Sequence, residues 1–166
     1  MKKILILGFL CFFSILSFSQ EKKLLYITSL DGNKQLDEAV VKAKAENKNV
    51  LVQVGGNWCP WCIKFNLFCV ETPKIDSIIK SNYVYIHLNY SRENRNYAAL
   101  ERLDFPQRFG FPVLVVLNPK GQRIHTQDSG LLEKDKGYDT LKVVTFLKNW
   151  TPQVYNKEQY IVKEKE

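Results

Sequence analysis

The sequence predicts an α/β fold in which a central mixed β-sheet is flanked by helices. Apolar segments with the length of strands alternate with amphipathic segments with the length of helices. Two of the apolar segments, residues 50–54 and Val113–Leu117, are rich in valine, as expected of strands that are buried on both faces. The last predicted strand returns from a short turn, so we expect an antiparallel pair in the sheet.

The first part of the chain is predicted to hold two strands separated by a helix. Residues 24–28 are predicted to form the first strand and residues 31–33, Asp-Gly-Asn, a turn. Residues 35–47 are predicted to form an amphipathic helix, because apolar residues recur there at helical spacing. These apolar residues are Leu36, Ala39, Val40 and Ala43. The strand at residues 50–54 follows, and residues 55–57, Gly-Gly-Asn, end it.

The remaining elements continue the same alternation. Residues 60–70 are predicted to form a helix. Thr72 followed by Pro73 is typical of an N-cap and the first helical position after it, so a second helix is predicted to start there and to run through Lys80. The later predicted elements are a strand at Tyr83–Asn89, a helix at 94–103, a strand at Val113–Leu117, a turn at 118–121, an antiparallel strand at 122–126 and a closing helix marked by Leu141, Val144, Leu147 and Trp150.

The N-terminal residues 1–19 have the pattern of a secretory signal peptide. A short basic stretch precedes a mostly apolar run at residues 4–18, and the small residues Ser17 and Ser19 predict cleavage before Gln20. A retained membrane anchor is the alternative, but this run is shorter than the roughly 20 residues that a spanning helix needs. We therefore predict a periplasmic or secreted protein with no stable membrane insertion after cleavage.

The rest of the chain is predicted to be one domain, residues 20–153, followed by a polar tail, residues 154–166, because it shows no internal repeat and no linker. The full chain has a net charge of +7, but its basic residues are interleaved with acidic ones. It has no block of like charge and no basic–aromatic array, so we predict no nucleic-acid partner.

The cysteines form a close pair with one further cysteine. Of the four in the chain, Cys11 belongs to the predicted signal peptide. Cys59, Cys62 and Cys69 remain, which is an odd number and too few for a framework of structural disulfides. The pattern indicates a redox motif, Cys59 and Cys62, plus a buried and inert core thiol at Cys69.

The position of Cys59 suits a reactive thiol. Cys59 lies where a buried strand gives way to a helix, and a helix N-terminus stabilises a thiolate through its free N–H groups and its dipole. Pro60 fits the first helical turn, where a missing N–H has no consequence. Cys62 lies one turn further on and is predicted to be the more buried, resolving thiol. Trp58 and Trp61 flank the reactive Cys59 in the chain and are predicted to line its exposed rim.

The segment from residues 50–54 through Trp58-Cys59-Pro60-Trp61-Cys62 resembles the active site of thioredoxins. The Phe111-Pro112 step before the next buried strand resembles the cis-proline loop of that family, and residues 37–48 resemble the helix that leads into the motif in small periplasmic members. The resemblance covers roughly residues 30–150. A Cys-x-x-Cys motif alone is weak evidence for a redox site, because zinc sites share it, and the resemblance of the surrounding residues strengthens the redox interpretation.

The resemblance implies a thioredoxin fold and a thiol–disulfide oxidoreductase. It implies that Cys59 attacks a substrate disulfide, that Cys62 resolves the mixed disulfide, and that the substrate is a protein bound as an added β-strand by the backbone at Phe111. Pro112 is then expected in the cis form. Trp58, Pro60 and Trp61 complete the predicted substrate-binding residues, and the prediction includes no cofactor and no metal.

Three positions depart from the thioredoxin pattern. Thioredoxins usually have a buried aspartate where this chain has Gln53, and an amide cannot act as a general base for the resolving cysteine. They also tend to have a lysine near the position of His87. Between the cysteines, Pro60-Trp61 replaces the reducing Gly-Pro pair and is closer to the Pro-Tyr of glutaredoxins. Gln53 and His87 are therefore predicted to lie behind the cysteine pair.

A binding or metal-handling module without redox turnover is the alternative. A tetrahedral zinc site requires four ligands, and the mature chain offers three cysteines with His87 and His125, whose strand positions favour a structural role or solvent exposure. Within the redox interpretation, export is compatible with reduction, oxidation or isomerisation. Reduction would require an electron donor at the membrane.

Overall fold

The computed structural model describes residues 24–156 and Tyr160. The predicted signal peptide and most of the predicted tail lie outside these residues. The described helices are α1 Gly32–Glu46, α2 Pro60–Glu71, α3 Pro73–Asn82, α4 Tyr97–Arg102 and α5 Thr140–Asn149. The strands are β1 Asn49–Gly55, β2 Tyr83–Asn89, β3 Val113–Leu117, β4 Arg123–Asp128, β5 Glu133–Lys134 and β6 Gly137–Tyr138. None of the described helices is long and apolar enough to cross a membrane.

The main sheet is mixed, as predicted. Its described strands have the order β2-β1-β3-β4, with β1 parallel to β2 and antiparallel to β3. Strand β4 returns antiparallel along β3. Helices cover both faces of this sheet, so the predicted fold class is confirmed.

The two faces of β1 belong to different layers of the core. Val50, Val52 and Val54 are fully buried against α1 and α4, whereas Leu51 packs with residues of α2, α3 and α5. This arrangement explains the absence of polar alternation in β1, because a strand that is covered on both sides has no solvent face. Gln53 lies in the middle of this strand and is also fully buried. A polar group at such a position requires hydrogen-bond partners.

The predicted first strand at residues 24–28 is wrong. This segment joins no sheet, and side-chain amides bind its backbone instead. The Tyr26 N–H donates to Asn57 Oδ1 at 3.1 Å, Asn57 Nδ2 donates to the Tyr26 carbonyl at 2.7 Å, and Asn94 Nδ2 donates to the Thr28 carbonyl at 2.9 Å. The segment thus consists of bends and the start of a turn rather than a strand, and side chains of distant loop residues hold its backbone.

Two helices begin at a different residue from the one predicted. Helix α1 begins at Gly32 rather than at residue 35, because Asp31 is its N-cap and accepts from the Lys34 N–H at 2.9 Å. The predicted turn at residues 31–33 is therefore the start of a helix. Helix α4 begins only at Tyr97, since the preceding Asn96 has a left-handed backbone with φ of 49°. The short hairpin of β5 and β6 was not predicted.

Candidate active site

Cys59 and Cys62 form a disulfide at the start of α2, with their Cα atoms 5.3 Å apart. Cys59 is the N-cap of this helix, and its sulfur accepts a hydrogen bond from the Cys62 N–H at 3.1 Å. Cys59 is 4% exposed, whereas Cys62 is completely buried. In the pair, Cys59 is thus the cysteine that both receives helix N-terminal stabilisation and borders on solvent.

The chain before the disulfide is shaped by two glycines and one proline. A Cβ on Gly55 would lie only 2.5 Å from Cys62 Sγ, so this last residue of β1 must lack a side chain. A Cβ on Gly56 would collide with the Trp58 indole. Pro60 then occupies the first position of α2, where its missing N–H is harmless. These residues let a buried strand turn directly into the helix that carries both sulfurs.

An aromatic rim borders the disulfide on one side. Trp58 is 54% exposed, and its indole N–H donates to the Tyr90 carbonyl at 2.6 Å. Phe111 packs edge-to-face on Trp58 with ring centroids 5.3 Å apart and stacks on Tyr90 at 5.0 Å. The Phe111–Pro112 peptide bond is cis. Phe111 also packs against the cluster that Tyr26 forms with Cys59 and Cys62, so the structure brings Trp58 and Phe111 to the edge of the cysteine pair.

Trp61 has different surroundings from Trp58. Its ring is partly buried and contacts Tyr138 edge-to-face, with centroids 5.6 Å apart. The Lys64 ammonium lies over the same ring, 4.3 Å from its centroid. Trp61 thus forms the other wall of the site and fixes α2 against the β5–β6 hairpin.

A cavity of about 570 Å³ opens beside the rim. Trp58 and Tyr90 supply its aromatic lining, and Arg92 and Arg95 supply positive charge. The remaining lining residues are Thr28, Asn57, Ser91 and Glu93. This cavity offers space for a side chain of a bound molecule next to the cysteine pair.

Gln53 lies directly behind Cys62 and is the centre of a buried hydrogen-bond network. Its Nε2 donates to the Tyr26 hydroxyl oxygen at 2.5 Å and to the Cys62 carbonyl at 2.9 Å. Its Oε1 accepts a short hydrogen bond from the Tyr85 hydroxyl. An amide at this place is neutral at every pH, so it adds no negative charge near the sulfurs.

His87 lies on β2 directly opposite Gln53 and is neutral at physiological pH. Burial lowers the pKa of this imidazole to about 4. Its Nε2 lies 3.1 Å from Asn66 Oδ1, and its ring packs against Tyr26 and Tyr85 with centroids 5.6 and 4.6 Å away. His87 therefore belongs to the aromatic wall behind the network rather than to the sulfur surroundings.

The other residues with redox or metal-binding chemistry lie apart from the pair. Cys69 is buried in the core between α2, α3 and α5, and burial raises the pKa of its thiol above the usual range. His125 stacks on Trp150 with centroids 4.2 Å apart. In the described part of the chain, no three His, Cys, Asp or Glu side chains are grouped so that they could hold a metal ion.

Two residues of the site, Tyr26 and Asn57, were not predicted from the sequence. Tyr26 is completely buried and packs with Cys59 and Cys62 in one cluster. Asn57 holds the Tyr26 backbone through the pair of hydrogen bonds described above. Asn57 could have been suspected from its position next to the motif, but nothing in the sequence indicates that a tyrosine 33 residues before Cys59 lies against the sulfurs.

Several solved structures are similar to this chain, and three of them are compared with it below. A disulphide isomerase from Xylella fastidiosa Temecula1 is 22% identical, with a TM-score of 0.67 over 78% of this chain and 98% of that chain. A thioredoxin from Thermus thermophilus is 19% identical, with a TM-score of 0.49 over 81% and 88% of the two chains. A DsbH oxidoreductase is 19% identical, with a TM-score of 0.48 over 68% and 81%. A search of curated proteins found no match.

The similarity to the disulphide isomerase shows that the fold is shared. The sequence itself matches the family described as Thioredoxin-like over residues 31–119, which is more than half of the chain and includes both cysteines and Pro112. The mixed sheet, the Cys59–Cys62 disulfide at a helix N-terminus and this match agree with one another. The chain therefore belongs to the Thioredoxin-like family.

Proposed function

We propose that this protein is a thiol–disulfide oxidoreductase that acts on protein disulfides and thiols outside the cytoplasm. The observation that carries the proposal is the disulfide between Cys59, at the N-cap of α2, and the completely buried Cys62. A thiolate at a helix N-terminus is stabilised and reactive, and a second thiol one turn away can displace a bound substrate. The disulphide isomerase with the same fold is in keeping with this chemistry.

The reaction consists of two thiol–disulfide exchanges. In the reduced protein, the Cys59 thiolate attacks one sulfur of a substrate disulfide, which forms a mixed disulfide and releases the other substrate sulfur as a thiolate. The Cys62 thiolate then attacks Cys59 Sγ, the Cys59–substrate bond breaks, and the second substrate sulfur leaves with the electron pair. The substrate gains two electrons, and the Cys59–Cys62 disulfide remains. Run backwards, the same steps oxidise a substrate dithiol.

The aromatic rim is the proposed docking surface for the substrate. Trp58 offers an exposed apolar face, and Phe111 contacts both Trp58 and Tyr90, two residues before the first residue of β3. A peptide that runs along the backbone at Phe111 and Pro112, as an added strand, would bring its own sulfur next to Cys59. Pro60 and Trp61 would border the same peptide from the helix side.

The test combines turnover with trapping. Purified protein is expected to accelerate the reduction of insulin by dithiothreitol, and Cys59→Ser is expected to abolish this acceleration. Cys62→Ser is expected to accumulate mixed disulfides with partner proteins on non-reducing gels, because the captured substrate is no longer displaced. Cys69→Ser is the matched control and is expected to resemble the wild type. Metal-loaded protein without turnover would instead support the metal-handling alternative.

Export and redox direction are tested separately. The location outside the cytoplasm rests on the signal-peptide pattern of residues 1–19, so the protein recovered after export should begin at Gln20, as measured by intact mass. The reduction potential of the Cys59–Cys62 pair distinguishes a reductase from an oxidase or isomerase. A reducing value would imply an electron donor at the membrane. Recovery of the intact chain from the membrane fraction would contradict the proposed cleavage.

A further inference from the structure

The Tyr26 hydroxyl faces the buried sulfur of the pair. Tyr26 is completely buried and packs against Cys59 and Cys62. A Cβ placed on Gly55 would lie 2.5 Å from Cys62 Sγ and 2.9 Å from Tyr26 Oη, so both atoms border the space that the missing side chain of this glycine leaves.

The hydrogen bonds around Gln53 leave the Tyr26 hydroxyl hydrogen without a role in that network. The Cys62 carbonyl can only accept, so the amide atom that faces it must be the NH₂ group. The same NH₂ group donates to Tyr26 Oη, while Gln53 Oε1 accepts from the Tyr85 hydroxyl. Tyr26 Oη is therefore an acceptor towards Gln53, and its own O–H can point elsewhere.

The segment that carries Tyr26 is held in place by the loop that precedes the disulfide. Asn57 both accepts from the Tyr26 N–H and donates to the Tyr26 carbonyl. Asn57 is two residues before Cys59, so one side chain couples the position of the tyrosine to that of the cysteine motif. Two hydrogen bonds from one amide fix both the distance and the orientation of this backbone.

We propose that Tyr26 donates its hydroxyl hydrogen to the Cys62 sulfur when the disulfide opens, and so stabilises the thiolate of the resolving cysteine. This inference rests on the proposed function. During resolution the Cys62 thiolate attacks Cys59 Sγ, the Cys59–Cys62 bond forms, the Cys59–substrate bond breaks, and the substrate sulfur leaves with the electron pair and takes a proton from solvent. Tyr26 keeps its O–H bond throughout.

The surroundings make Tyr26 a hydrogen-bond donor and not a base. Burial raises the pKa of Tyr26 above its usual range, so the hydroxyl stays protonated. The neighbouring titratable groups are also neutral: burial raises the pKa values of Tyr85 and Tyr138 and lowers that of His87 to about 4. A neutral donor is suited to an anionic sulfur in a buried site, because a hydrogen bond to the ionised form favours that form.

The expected effect on Cys62 is measurable. A hydrogen bond to an ionised group corresponds to about one to two pKa units of the group that accepts it. When the hydrogen bond is removed, each unit by which the Cys62 pKa rises reduces the thiolate fraction at neutral pH about tenfold. The remaining thiolate is about threefold more nucleophilic for each unit, which offsets part of the loss. Loss of the hydroxyl should thus slow resolution about three- to tenfold.

The first arm of the test measures the Cys62 pKa without requiring turnover. In the full chain with Cys11, Cys59 and Cys69 replaced by Ser, the Cys62 Cβ carbon is labelled with ¹³C and its chemical shift is followed against pH. Tyr26→Phe is expected to raise the pKa by about one to two units. Tyr83→Phe is the matched control, since it removes another buried hydroxyl, which donates to the Leu147 carbonyl, and should leave the Cys62 pKa unchanged.

An unchanged Cys62 pKa in Tyr26→Phe, or an equal shift in Tyr83→Phe, would overturn the proposal. If Tyr26→Phe does not fold, Asn57→Ala serves as the second variant. It loosens the backbone of Tyr26 while retaining the hydroxyl, and should raise the Cys62 pKa in the same direction by a smaller amount. No rise in that variant would also overturn the proposal.

The second arm measures resolution itself. Reduced protein is mixed with an aromatic disulfide reagent, which forms a mixed disulfide at Cys59, and release of the second aromatic thiolate reports the attack by Cys62. Tyr26→Phe should slow this second phase about three- to tenfold and leave the first phase unchanged. An unchanged second phase would overturn the proposal. The two proposals can fail separately. If the wild type does not reduce insulin but Tyr26→Phe still raises the Cys62 pKa, the proposed oxidoreductase function is wrong and the proposed hydrogen bond from Tyr26 to Cys62 is supported.

Discussion

Replacing Gln53 with leucine tests whether the buried network behind the disulfide stabilises the fold. Leucine has a similar volume but forms none of the three hydrogen bonds that Gln53 makes with Tyr26, Cys62 and Tyr85. Each such bond contributes about 1 kcal/mol net, and the Tyr85 hydroxyl is left buried without its acceptor, which costs about 1–3 kcal/mol. The greater burial of apolar surface by leucine offsets part of the loss. We expect the free energy of unfolding to fall by about 2–4 kcal/mol.

The measurement is urea unfolding of the oxidised protein, in which the disulfide is the same in every variant. Gln153→Leu is the matched control, because this glutamine is exposed, and it should change stability by less than about 0.5 kcal/mol. Tyr85→Phe should be destabilising in the wild type and nearly neutral in Gln53→Leu, where the hydroxyl has already lost its acceptor. Additive losses in the double variant, or a Gln53→Leu protein as stable as the wild type, would refute this reasoning.

Three further predictions concern Gly55, His87 and Cys69. Gly55→Ala places a methyl group against Cys62 Sγ and should lower the free energy of unfolding, measured in urea, by about 1–3 kcal/mol. Gly137→Ala is the control, because its methyl group would meet no atom within 4 Å, and it should leave stability unchanged. Equal effects of the two substitutions would contradict the close contact. Between pH 6.5 and about 4 the unfolded chain protonates His87 and the folded chain does not, so stability should fall by up to about 3 kcal/mol as pH drops through this window. The slope should be smaller in His87→Gln, and a slope as steep as that of the wild type would exclude His87 as its source. Cys69→Ser should lower the free energy of unfolding by about 1–3 kcal/mol, because it places a hydroxyl in the buried core, while insulin reduction stays at the wild-type rate. A loss of turnover in the folded variant would indicate a redox role for Cys69.

The apolar pattern was sufficient to predict the strands that both helical layers cover. Tyr83–Asn89 and Val113–Leu117 have the predicted bounds, and β1 extends the predicted strand by one residue at each end. A strand that is covered on both faces is apolar along most of its length, so it can be recognised from a short stretch of sequence alone. Helix α1 was located by its spacing, but its start was misplaced because the cap at Asp31 resembles a turn.

The segment at residues 24–28 shows where local pattern fails. Its composition is that of a strand, yet its hydrogen-bond partners are side chains of Asn57 and Asn94, which lie far along the chain. A strand forms only when a neighbouring strand edge is free to pair with it, and local composition does not contain that information. The same long-range placement puts Tyr26 against the cysteine pair.

By itself, the sequence determined where the candidate redox pair lies. Cys59 and Cys62 lie one helical turn apart after a buried strand, and a helix N-terminus favours a thiolate at its first residue wherever it occurs. The tertiary structure alone decided what surrounds the buried sulfur. Gln53, Tyr26 and Tyr85 come from three separate segments and meet only when the sheet and the N-terminal segment are assembled. The protonation of Cys62 depends on those contacts, because the pKa of a buried group is set by the atoms around it and not by its neighbours in sequence.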